Sequence, residues 1–276
     1  MPSQHNALAD RTLVISGASR GIGLAIGIGA ARQGANVVLL AKTDQPHPKL
    51  PGTVHTAAAD IETAGGKAAA VVGDVRKEDD VRRAVAVAVE KFGGVDICVN
   101  NASAIATEPT ETLPVKKFDL MADINIKGTF LLTQACLPYL RKSPNPHVLT
   151  IAPPLNMNPR WLGAHPAYTL SKYGMTLLSL GWAAELAEAG IAFNCLWPQT
   201  YIATSAVANS PDGQAQLAAS RGPEIMADAA VEILVRPSRE ATGECYIDEE
   251  VLVKAGGYDL SRYGGGPQPI PDLFIG

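Results

Sequence analysis

No stretch of this sequence is apolar for long enough to span a bilayer. Its opening residues, MPSQHNALADR, contain no apolar signal core. Its last residues, DLFIG, match no lipidation or peroxisomal address. No long basic run occurs and the net charge is −4, so nothing advertises nucleic acid or an anionic membrane as a partner. Cysteine is scarce: the four residues Cys98, Cys136, Cys195 and Cys245 match no zinc or redox spacing. Cys98 and Cys195 sit inside apolar runs and read as buried reduced thiols, which points to the cytoplasm and to no metal.

What is present is core-forming material, 47% hydrophobic over 276 residues. Short β-branched runs alternate with Ala-rich helical patterns. Strands are expected at 11–16, 35–41, 68–74, 95–101, 147–152, 191–197 and 243–248. Helices are expected at 21–34, 56–66, 78–94, about 113–140, and 166–189. Such alternation implies a single α/β domain, a doubly wound parallel sheet of Rossmann type with about seven strands. It spans 1–257, and 258–276 forms a C-terminal tail. Ligands of such sheets bind at the carboxyl ends of the strands.

Between the first strand and its helix lies VISGASRGIG, with Gly17, Gly21 and Gly23. Glycines there permit a tight turn and close approach of a pyrophosphate to the helix N-terminus. The spacing is GxxxGxG, not the GxGxxG dinucleotide fingerprint, and glycine turns also serve plain strand–helix packing. NAD-preferring folds carry an acid after the second strand. Here stand Ala41 and Lys42, and Arg20 adds a second cation in the turn. A missing acid and two cations favour NADP(H) over NAD(H), because a 2′-phosphate needs charge-assisted donors. Solvated surface cations are the plainer alternative.

Four further segments complete the pattern: GDV at 73–75, NNAS at 100–103, NIKG at 125–128 and YTLSK at 168–172. In this order and with the glycine turn, the chain from about 10 to 250 resembles the short-chain dehydrogenase/reductase family. AKTDQPHPKLPGT (41–53) and IAPPLNMNP (151–159) are similar to the hydroxysteroid dehydrogenase-like subgroup, without the lipid-carrier extension of some relatives. The resemblance implies that Gly17, Ser19, Arg20, Gly21, Ile22 and Gly23 form the cofactor turn. It implies adenine contacts from Asp74 and Val75, and Asn101 and Ala102 along the cofactor strand. Asn125 would support a proton-relaying water chain, Tyr168 would be the acid/base, and Lys172 its partner. Ile202 and Thr204 would touch the carboxamide.

The chemistry of the pair stands on its own. Tyr168 and Lys172 are four residues apart and share one helix face. A phenol titrates near ~10, and a neighbouring ammonium is expected to lower that value. The same lysine could bind the nicotinamide ribose.

Two departures from the family pattern are visible. The serine that usually stands 13 residues before the tyrosine is Leu155, and alignment by strand end gives Ala152 and Pro153 instead. Losing one preorganised donor to a developing oxyanion costs about 10²–10³ in rate, which handicaps a site without ending it. Asn156 and Asn158 carry side-chain N–H donors, or else form Asx-turns beside the prolines; Thr150 should point away. Second, Gln199 replaces the glycine of a PG pair, and an apparent insertion leaves the register of Ile202 and Thr204 open.

On the substrate side the expected apolar contacts are Leu155, Met157, Trp161, Leu162, Trp197, Tyr201 and Ile202, about half of which core or interface packing would claim. The tail could cap the site, dock on a neighbouring subunit or lack order; docking is the favoured reading, since members of the family it resembles are commonly dimers or tetramers. The resulting expectation is an NADP(H)-dependent oxidoreductase acting on a small hydrophobic alcohol or carbonyl compound, assembled as a homodimer or homotetramer. The alternatives are an NADP(H)-binding protein with little or no turnover, and double-bond reduction on an activated carbonyl.

Overall fold

The first strand is buried at every position, and it lies inside a sheet with a neighbour on each side. In the computed structural model, which describes residues 6–48, 50–209 and 212–276, seven strands run β1 (Thr12–Ser16), β2 (Asn36–Ala41), β3 (Lys67–Val72), β4 (Ile97–Asn100), β5 (His147–Ile151), β6 (Ala192–Trp197) and β7 (Cys245–Ile247). All pairs are parallel, in the order β3-β2-β1-β4-β5-β6-β7. The doubly wound sheet of the sequence is therefore present, with its seven strands.

Alternation along each strand feeds two cores. Leu13, Ile15, Val37, Leu39, Ile97, Val99, Leu149 and Ile151 pack on one face, and Val14, Val38, Leu40, Cys98 and Val148 on the other. Burial on both faces explains why these strands read as continuous apolar runs. Each Leu or Ile withdrawn from water contributes about 1.5–3 kcal/mol.

Helices α1 (Gly21–Ala31), α2 (Val54–Thr63) and α3 (Glu78–Phe92) connect the first four strands. Thr53 and Thr56 close a capping box on α2. Glu78, Asp79 and Asp80 open α3, and Gly93 ends it at φ +87°. The single helix expected at 113–140 is instead α4 (Val115–Met121), a wide π-turn at Ala122–Lys127, and α5 (Gly128–Leu140). The bulge carries Asn125, and such bulges accompany functional sites.

Beyond β5 lie α6 (Pro159–Ala164) and α7 (Pro166–Glu185), and beyond β6 lie α8 (Ser205–Ala208) and α9 (Gly213–Ala218). α10 (Glu224–Leu234) and α11 (Asp248–Ala255) complete the helices, and the sequence reading missed both. α10 buries Ile225, Met226, Ala229, Ala230, Ile233 and Leu234 in the same core as α1. Gly222 and Pro223 before it and Pro237 after it are boundary signals that could have marked it. The order of strands reverses between β1 and β4, which opens a crevice above their carboxyl ends. Among the described residues no helix is long and apolar enough to cross a membrane.

Candidate active site

A cleft of about 980 Å³ opens at those carboxyl ends. Gly17, Ser19, Arg20, Gly21, Ile22, Lys42, Asp74, Val75, Asn101 and Ala102 line one arm. Tyr168, Lys172, Ile202 and Thr204 line the other. Two expected residues, Gly23 and Asn125, stand behind the wall instead.

The glycine turn is built by close packing. Gly17 sits at φ +69°, and a Cβ there would come 2.8 Å from the Ala102 Cα. A Cβ on Gly23 would come 2.4 Å from the Asn101 amide nitrogen. Gly23 therefore makes room for Asn101, whose Nδ2 donates to the carbonyls of Ser16 (3.0 Å) and Gly17 (3.1 Å). The turn is thereby held open under α1. Arg20, at the N-cap of α1, makes no side-chain cap, so the first-turn N–H groups stay available to an anion. The cradle fits a dinucleotide pyrophosphate.

At the outer end, the Lys42 ammonium is more than half exposed and lies 3.9 Å from Asp74. Asp74 is held mainly by Arg76, which donates to it at 2.6 and 3.0 Å and keeps its carboxyl below the usual range. Arg20 donates to the carbonyls of Pro51 (2.8 Å) and Gly52 (3.0 Å) and to the Thr43 hydroxyl (3.0 Å). That fixes the 50–53 loop beside the cleft.

At the inner end, α7 places Tyr168 and Lys172 one turn apart, both buried. The Lys172 ammonium donates to the Ile151 carbonyl at 2.6 Å and lies 5.0 Å from the Trp197 ring. Burial lowers its pKa to about 7, against the opposing pull of Cys195 and Asp272. The expectation that Lys172 lowers the Tyr168 pKa fails in the chain itself. Burial, with Asp272 and Tyr201 adding to it, pushes the phenol up and keeps it protonated. Asn125 donates to the Ser171 hydroxyl (2.9 Å) and the Ala104 carbonyl (3.0 Å), and accepts from the Ala104 N–H (2.7 Å). Ser171 in turn donates to the Tyr168 carbonyl (2.8 Å). The bulged helix thus braces α7 beside the pair.

Ala152 and Pro153 follow β5 directly. Thr150 points away: its Oγ1 accepts from Ser179 (2.8 Å) and Asn100 (3.4 Å). Asn156 Nδ2 donates to the carbonyls of Phe274 (3.1 Å) and Gly276 (3.0 Å). Asn158 caps α6 through the Arg160 N–H. Both are structural, and neither lines the cleft.

Of the seven expected substrate contacts, Trp197, Tyr201 and Ile202 line the cleft, whereas Trp161 and Leu162 pack in the core and Leu155 and Met157 face solvent. Of the outcomes open for the tail, packing against the cleft is the one seen within the chain. Pro271 pairs with Thr200, the Tyr201 N–H donates to the Ile270 carbonyl (2.8 Å), and Trp197 Nε1 donates to the Leu273 carbonyl (2.9 Å). Asp272 and Leu273 thereby enter the cleft wall. A carboxylate–aromatic tail far from every motif has no sequence pattern to announce it.

With this cleft, turn and Tyr–Lys pair in place, the chain belongs to the short-chain dehydrogenase family, whose profile matches residues 11–215. It is 52% identical over 270 residues to hydroxysteroid dehydrogenase-like protein 2 of Danio rerio, covering 97% of this chain and 64% of that protein. The chain thus spans under two thirds of the length of that relative. A crystal structure of a short chain dehydrogenase from Mycobacterium thermoresistibile superposes with a TM-score of 0.92 at 50% identity, covering 98% of this chain and 96% of that one. L-sorbose reductase from Gluconobacter frateurii, complexed with NADPH and L-sorbose, superposes at 0.77 and 25% identity, covering 88% and 97%.

Proposed function

We propose that this protein is an NADP(H)-dependent oxidoreductase that interconverts a hydrophobic alcohol and its carbonyl compound. The observation that carries this reading is the buried Tyr168–Lys172 pair, which shares one cleft with the glycine turn under α1. Gly17, Ser19, Gly21 and Ile22 would hold the pyrophosphate, Asp74 and Val75 the adenine, and Asn101 and Ala102 the middle of the nucleotide. Ile202 and Thr204 would meet the carboxamide. Lys42, with Arg20 beside it, would pair with the 2′-phosphate; the lack of an acid at positions 41 and 42, where β2 ends, supports that choice, as does the NADPH complex of the sorbose reductase.

When bound, the nicotinamide would supply or accept the hydride. Tyr168 would hold the proton on the oxygen side, giving it up as a carbonyl is reduced and regaining it in reverse. A phenol pushed up by burial is in the donor form. The Lys172 ammonium would offset the negative charge that the departing proton leaves. Asn125 would brace this face and support a path for protons. Trp197, Tyr201 and Ile202 suit an apolar substrate.

The same reading places the protein in the cytoplasm, consistent with its four free cysteines. It also makes the protein a homodimer or homotetramer: Val115, Phe118, Phe130, Leu170 and Leu177 present exposed apolar side chains on α4, α5 and α7. NADPH oxidation across terpenoid, steroid and fatty aldehydes tests the activity, and Tyr168→Phe should lower kcat/KM by about 10²–10⁴. Unchanged turnover in that variant would overturn the assignment. The absence of a hydroxyl at the end of β5 favours the second reading, nucleotide binding with little turnover, which a panel yielding binding and no oxidation would select.

A further inference from the structure

Asp272 is the acid that the tail carries to the reacting end of the cleft. Its backbone N–H donates to the Gln199 carbonyl at 3.1 Å, on a segment already paired with 199–201. Two residues on, Phe274 is buried at φ +71°, a backbone conformation rare for a bulky side chain. Its ring lies 6.2 Å from Tyr168, 5.3 Å from Tyr173, 5.9 Å from Trp161 and 6.0 Å from Trp197. This cluster locks the tail against α7 and fixes Asp272 in the wall. The Asp272 Oδ1 accepts from the Leu273 N–H at 2.6 Å. Among the described residues Oδ2 has no hydrogen-bond partner, and the side chain is partly accessible from the cleft.

Resting on the oxidoreductase reading, the geometry points to Asp272 as the hydrogen-bond donor to the substrate's reacting oxygen, in the place of the hydroxyl that β5 does not provide. The groups facing it are Tyr168 and Lys172 on α7, Tyr201 beyond β6, and Asp248 at the head of α11. Burial and Asp248 raise the Asp272 pKa to about 8, although Lys172 pulls it down. A neutral carboxyl can donate where a carboxylate cannot. Asp272 keeps its proton throughout; it supplies a hydrogen bond that strengthens as charge builds on the oxygen. The proton transferred is that of Tyr168.

Two measurements on the full chain test this. In protein labelled with ¹³C at aspartate carboxyls, the Asp272 resonance, assigned by difference with Asp272→Asn, should titrate with a midpoint near 8. A midpoint at the ordinary carboxylate value of ~4 would overturn the proposal. In NADPH-dependent turnover, Asp272→Ala should lower kcat/KM by about 10²–10³. Asp272→Asn keeps an N–H donor, so it should stay within about tenfold of wild type and lose the alkaline fall in rate that the carboxyl causes. An alanine variant as active as wild type, or an asparagine variant as impaired as alanine while folded by thermal melt, would overturn it. Failure of the Asp272 variants with Tyr168→Phe still inactive sinks this inference alone; an active Tyr168→Phe, or no turnover on any substrate, sinks the oxidoreductase reading and this inference with it.

Discussion

The Lys172 ammonium donates to the Ile151 carbonyl at 2.6 Å, tying α7 to the last residue of β5. Among the described residues no carboxylate is hydrogen-bonded to it, and burial lowers its pKa to about 7. The charge is therefore costly to the fold, a pattern expected where function demands a group that stability would not select. We expect Lys172→Met to fold with a melting temperature equal to or above wild type while turnover falls by at least about 10². Thermal unfolding and NADPH oxidation measured on one preparation check both halves.

Lys42 should set cofactor choice. Lys42→Ala removes the half-exposed cation beside Asp74. It should weaken NADPH binding about tenfold, the worth of one exposed charge-assisted contact of ~1.5 kcal/mol. NADH binding should be unchanged. Fluorescence titrations with both nucleotides separate the outcomes.

Gly23→Ala probes the turn from behind. The new Cβ would stand 2.4 Å from the Asn101 amide, which must move and release the Ser16 and Gly17 carbonyls. Overpacking of this kind costs about 1–3 kcal/mol. We expect a lowered melting temperature together with weaker nucleotide binding, although residue 23 does not line the cleft. Nucleotide affinity equal to wild type would detach Asn101 from the turn.

His147 should govern acid stability. It is buried on β5 with Nε2 against the Arg236 carbonyl at 3.0 Å. Burial, aided by Arg11, lowers its pKa to about 4. Between that value and the unfolded ~6.5 the unfolded chain binds more protons, so stability is present above about 6.5 and is lost as pH falls towards 4. The loss is on the order of 3 kcal/mol. Denaturant unfolding at pH 7 and pH 4.5 should show it, and His147→Asn should remove most of the difference.

Phe274→Ala should uncouple the tail. The ring touches four aromatic side chains, and truncating such a ring costs about 3–5 kcal/mol. We expect faster proteolysis within 269–276 and reduced turnover. Full activity in a variant whose tail is cleaved would show that the cleft works without it.

Strand alternation, the glycine turn and the four-residue spacing of Tyr168 and Lys172 were legible because each is a local rule: period two, a free φ, one helical turn. Asn156 and Asn158 could not be sorted by spacing, since an amide looks the same whether it faces a cleft or a chain terminus. Their partners, the Phe274 and Gly276 carbonyls and the Arg160 N–H, settled them. The π-turn at 122–127 has no local signal, because it follows from how α4 and α5 pack around Asn125.

By itself the sequence determined the doubly wound sheet and the place of the glycine turn, since both follow from contacts between near neighbours in the chain. Only the tertiary structure decided that burial, not the lysine, governs the Tyr168 phenol, and that the tail brings Asp272 to the same cleft. Desolvation depends on every atom packed around a group, and residues 168 and 272 meet only once the whole chain has closed.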